Sequence, residues 1–133
     1  MRTKISLPLL AFVLAVFTVL SASPAFSQAK PVKFSNRTSV IKGEVIDLNC
    51  YLEDGAKATG DSHQDCALMC AKAGAPLAIL TSDGEIYIPV VGMGKNPNDK
   101  LMDFVAQQVE VTGKLLQQGT QKGIKIESVK KAE

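Results

Sequence analysis

The chain has 133 residues, with 15 basic and 13 acidic side chains, 46% hydrophobic residues, one histidine and three cysteines. That length accommodates one small domain. Near-neutral charge, with only Phe34, Tyr51, Tyr87 and Phe104 as aromatics beyond Ala29, excludes a nucleic-acid partner, because neither a phosphate backbone nor stacked bases would find a complement.

The first residues, Met1-Arg2-Thr3-Lys4, are basic, Ile5 to Leu20 is apolar, and "SASPAFSQA" then supplies small-residue cleavage sites between Ser23 and Ala29. This three-part layout predicts a signal peptide over 1–29 and an exported chain, periplasmic or secreted. The apolar run is 16 residues long, with Pro8 near its start and Pro24 just beyond its end, whereas a spanning helix needs roughly 20. No membrane attachment is expected after cleavage. Arg2 and Lys4 account for the whole net charge of +2, so the processed chain is neutral.

Residues 30–39, "KPVKFSNRTS", are polar and aperiodic and read as an N-terminal arm; the domain proper is expected over 40–133. "SVIKGEVIDLNCYL" alternates, with Ile46, Leu48 and Cys50 on one face and Val45, Asp47 and Asn49 on the other, the pattern of a strand. Gly43 within it suggests a bulge or bend. The turn-rich "EDGAKATG" follows, and then Ser62 and Asp65 at capping-box spacing introduce a helix over 63–73, stopped by Gly74 and Pro76. "PLAIL" and "EIYIPVV" are strands joined by "TSDG", whose Asp83-Gly84 pair suits a tight turn. Asn98 or Asp99 is placed to cap a short helix "KLMDFVA", and "QQVEVTGKLLQQ" and "GIKIESV" are two last strands.

Five short strands with a short helix between the third and fourth is the order of an OB-fold barrel. The predicted fold is therefore mainly β with helices: a small five-stranded OB-like barrel whose first helix is an insertion between strands 1 and 2. An open antiparallel sheet with two helices on one face is the competing architecture.

The stretch "GEVIDLNCYLEDGAKATGDSHQDCALMCAKAGAP" resembles a group of small exported bacterial OB-like domains. They carry the pattern G-x-V-x-D-x-x-C-Y, a Gly-containing loop, H-x-x-C-A-x-x-C and then G-x-P. The matching positions are Gly43, Asp47, Cys50, Tyr51, His63, Cys66, Cys70, Gly74 and Pro76. The resemblance implies a domain type and carries no established activity.

Every Cys and His of the chain falls between Cys50 and Cys70. On a helix His63, Cys66 and Cys70 project from one face within roughly 60°. Cys66 and Cys70 have the i, i+4 spacing by which two helical side chains share an ion. His63 must reach back from the helix entry, and Cys50 near the end of the first strand faces them. Cys50, His63, Cys66 and Cys70 thus form a Cys3His candidate set for zinc, and soft thiolates also accept Cu(I). The alternative is a disulfide between Cys50 and either helical cysteine, stabilising an interaction domain by roughly 3 kcal/mol and leaving one thiol over. Catalysis has the weakest support, because C-x3-C is not the oxidoreductase C-x-x-C and nothing in sequence orients His63 as a base. The functional expectation is an exported non-catalytic module binding zinc or copper, with an unidentified protein or small ligand as partner. The scattered Met69, Met93 and Met102 read as core fillers, Asp47 as a solvated strand position, and the glycines of "VVGMGKN" as a flexible turn.

Overall fold

The computed structural model describes residues 33–133; the expected signal peptide over 1–29 lies outside them. Five strands, β1 (Lys33–Asp47), β2 (Leu77–Leu80), β3 (Ile86–Pro89), β4 (Gln108–Gln118) and β5 (Gln121–Lys131), form a mixed sheet. They follow one another round a ring in the order β1-β2-β3-β5-β4, with β4 returning to β1. All neighbours are antiparallel except β3 and β5, which run parallel through Ile88↔Gly123 and Pro89↔Ile124.

Between β1 and β2 stand two helices, α1 (Leu48–Asp54) and α2 (Gln64–Lys72), separated by single 3-10 turns at Gly55–Ala58 and Asp61–His63. The strand expected to run on through Cys50 stops at Asp47. There the carboxylate accepts the amides of Asn49 (2.9 Å) and Cys50 (3.3 Å), so that Asp47 caps a helix instead of continuing the ladder. Gly55, at φ +60°, ends α1. β1 also starts earlier than expected: it begins at Lys33, within the segment read as a polar arm. Its register shifts between Phe34 and Thr38, not at Gly43. Gly43 instead marks a close strand approach, where a Cβ would strike the Leu80 carbonyl group. The helix expected over "KLMDFVA" is only a 3-10 turn at Met102–Phe104.

The core lies inside the ring. Val45, Leu77, Ile79, Val109, Val111 and Ile124 come from the strands, Leu101 and Val105 from the connection to β4, and Ala67 and Ala71 from α2. Two alanines four residues apart give α2 a flat buried stripe, which lets its backbone lie close to the sheet. Val45, Ile46 and Asp47 are all buried. Successive strand residues face opposite sides, so β1 is covered on both faces where the helices cross it.

Candidate metal centre

The sulfur atoms of Cys50, Cys66 and Cys70 all lie within 4.8 Å of one another. Three features of the chain bring them there. On α2, Cys66 and Cys70 precede the buried Ala67 and Ala71 by one residue each, which puts the sulfurs about 100° round the helix from the buried stripe. They sit at the flank of the helix, with Cys66 exposed and Cys70 half-buried. On α1, the Asp47 cap fixes the first turn, and Cys50 is in that turn.

The two helices are then tied together at their ends. Ala75 N–H donates to the Cys70 carbonyl (2.9 Å), and Leu48 N–H at the start of α1 donates to the Pro76 carbonyl (3.0 Å). Asn98, itself buried, holds this crossing: its side chain donates to the Ala75 carbonyl (2.8 Å) and accepts Leu77 N–H (3.0 Å). Gln64 donates to the Val105 carbonyl (3.2 Å), fixing the first turn of α2 against the core. The exit of α2 and the entry of α1 are thus joined through backbone amides, and the three thiols converge beside the joint.

Asp47 is the buried carboxylate of this region. Besides capping α1, it accepts a hydrogen bond from the Cys50 thiol, Sγ to Oδ2 3.4 Å. Burial pushes the Cys50 thiol up to about 12, with the Asp47 carboxylate adding to the effect. Burial and then Asp47 also raise Cys70, while Cys50 opposes them. Without a cation, therefore, Cys50 and Cys70 are thiols at neutral pH. They are poor nucleophiles, since reactivity belongs to the thiolate. A cation held between the sulfurs would reverse the balance by displacing their protons.

The structure thus brings together three of the four residues expected to act as ligands. His63 is outside the three-sulfur group. It closes the 3-10 turn Asp61–His63, its backbone N–H donates to the Gly60 carbonyl (3.0 Å), and its Nε2 is buried without a hydrogen-bond partner. No pair of cysteines is at bonding distance: all three are free thiols, in place of the disulfide weighed from the sequence. A tetrahedral site with Zn–S of about 2.3 Å sets sulfurs about 3.8 Å apart, whereas a disulfide needs about 2.05 Å. The three sulfurs, within 4.8 Å of one another and with no pair bonded, are close enough to share one ion.

Asp47 and Asn98 are the residues whose roles sequence reasoning missed. The signal for Asp47 was present: Leu48, Tyr51 and Leu52 stand at helical spacing between an N-capping Asp and a terminating Gly. Locally Asn98 reads only as a cap for "KLMDFVA"; the side-chain partners that give it its role are more than twenty residues away. Comparisons with protein families, with curated proteins and with solved structures return no match.

Proposed function

We propose that this protein is an exported, non-catalytic metal-binding module, in which Cys50, Cys66 and Cys70 hold a zinc or Cu(I) ion on an OB-like barrel. The observation that carries the reading is the convergence of three sulfurs within 4.8 Å. The bonds from Leu48 to the Pro76 carbonyl and from Asn98 to Ala75 and Leu77 hold the exit of α2 beside the entry of α1. Thiolates are soft donors and select zinc and Cu(I) over magnesium or calcium. Burial and Asp47 hold Cys50 and Cys70 protonated, which makes those two poor nucleophiles in the metal-free chain.

The ring order, with β1 next to both β2 and β4 and β3 parallel to β5, supports the OB-like reading. The basic, apolar and small-residue layout of 1–29 supports export, with the domain as the mature part. The fourth coordination position divides two forms of the proposal. Filled by His63, whose Nε2 is buried and unpartnered, it gives a closed Cys3His site. Left to a donor from outside, it gives an open one.

The test is competition for metal against a chromophoric chelator, using the purified mature chain and its single Cys→Ser variants. Loss of at least tenfold in affinity for each of Cys50→Ser, Cys66→Ser and Cys70→Ser is expected. Equal affinity in all three variants and the parent would refute the site.

A further inference from the structure

The three cysteines differ in their access to solvent. Cys66 is exposed, while Cys50 and Cys70 are half-buried. Round α2, Met69 falls about 60° from Cys66 on the side away from Ala67 and Ala71, and it is 68% exposed. The cysteine stripe therefore opens outward at Cys66 and closes inward at Cys50 and Cys70.

Among the described residues no fourth Cys, His, Asp or Glu joins the sulfur group. The nearest carboxylate, Asp47, is not within common reach of all three sulfurs, and one of its oxygens is held by the amides of Asn49 and Cys50. Structural zinc sites are almost always closed by four protein ligands, whereas three protein ligands with one position left over is the arrangement of sites that admit an outside group. An outside group that reaches the ion past Cys66 must match three sulfurs in softness, and a thiolate does so.

We infer that the centre is open at Cys66 and takes an external thiolate as its fourth ligand, making it an ion-transfer site. This rests on the metal reading above. In the first step the incoming thiol forms a sulfur–metal bond and releases its proton to solvent. In the second, the bond from the ion to Cys66 Sγ breaks, and that sulfur takes a proton from solvent. Further external thiolates then replace Cys70 and Cys50, each protein sulfur taking a proton from solvent as its bond to the ion breaks, and the ion leaves through the exposed side with its oxidation state unchanged.

Cobalt(II) reports the number of sulfur bonds through its thiolate charge-transfer absorption. The mature chain loaded with one equivalent of Co(II) is titrated anaerobically with N-acetylcysteine, beside His63→Ala. The inference predicts a rise of about one-third in that absorption, from three sulfur bonds to four, in both proteins. Loading His63→Ala should cost less than threefold in affinity. No rise on adding thiol, together with loss of tight binding in His63→Ala, would overturn it in favour of a closed Cys3His site. Absence of any Co(II) or Zn(II) binding would instead overturn the metal reading itself. A two-cysteine peptide distinguishes the source of the thiolate. Removal of the ion by the peptide and not by N-acetylcysteine assigns the thiolate to a protein partner, and removal by both at equal thiol concentration assigns it to small thiols; removal by neither overturns the transfer step.

Discussion

Replacing Asp47 separates its two duties, holding the start of α1 and keeping Cys50 protonated. In Asp47→Ala the amides of Asn49 and Cys50 lose their acceptor, as does the Cys50 thiol. Loss of an N-cap costs about 1 kcal/mol. Partners left unsatisfied in a part-buried site add about another 1 kcal/mol, the low end of the range for fully buried groups. A total near 2 kcal/mol lowers Tm by about 8–16 °C in a domain of this size. Asp47→Asn keeps an oxygen over the same amides, so its cost should stay below about 0.5 kcal/mol. It nevertheless removes the charge that raises Cys50. The thiol should then ionise below its parent value of about 12, while burial, the larger cause, still holds it above the ordinary range. Urea denaturation gives the first quantity, and the pH profile of iodoacetamide labelling at Cys50 gives the second. If Asp47→Asn is as unstable as Asp47→Ala, or labels with the parent profile, the double role assigned to Asp47 is wrong.

Other consequences can be measured independently. Gly43→Ala should destabilise by about 2 kcal/mol in urea denaturation, because its Cβ would stand 2.8 Å from the Leu80 carbonyl carbon and 2.9 Å from Ile79 Cγ2. Asn98→Ala should cost about 2–3 kcal/mol and widen the sulfur cluster, since a part-buried carbonyl and a buried amide lose the side chain they bond to; its metal affinity should fall even where the fold is retained. Glu110, flanked by Lys130 and Lys42 at 2.6 Å, has its carboxyl held down to about 2. Its depressed value contributes stability that is present above about pH 4.5 and is lost as pH falls through about 2. Glu110→Gln should therefore flatten the acid limb of a stability–pH profile in that window. At the other extreme Cys50, raised from 9.0 to about 12, contributes stability that is full below about pH 9 and is lost as pH rises through about 12. Cys50→Ser should remove that alkaline limb.

The strands were legible because alternation, Gly-containing turns and the "TSDG" hairpin are local signals: Thr81 and Glu85 close that turn through the Thr81 N–H at 2.9 Å. α2 was legible from its helix formers and the Gly74 stop, and lies at Gln64–Lys72 against an expected 63–73. α1 was not, because "VIDLNCYL" satisfies both a period of two and a period near 3.6 over so short a stretch. Burial decided between them: with Val45 and Ile46 both buried, the strand offers Asp47 no solvated face, and its buried carboxylate is satisfied by capping α1. The cysteine cluster was anticipated for a reason that only partly holds. Cys66 and Cys70 share a helix flank as expected, but Cys50 meets them from a second helix and not from the end of a strand. His63 shows the limit of wheel arithmetic, since the helix it was counted on begins one residue after it.

The most direct measurement on the central claim takes one sample of the exported, processed protein. Bound metal is determined by elemental analysis, and reactive thiols are counted after denaturation with chelator. The account predicts one zinc or copper ion per chain and three thiols, matching the three free cysteines. One thiol, no metal and a mapped disulfide at Cys50 would contradict it.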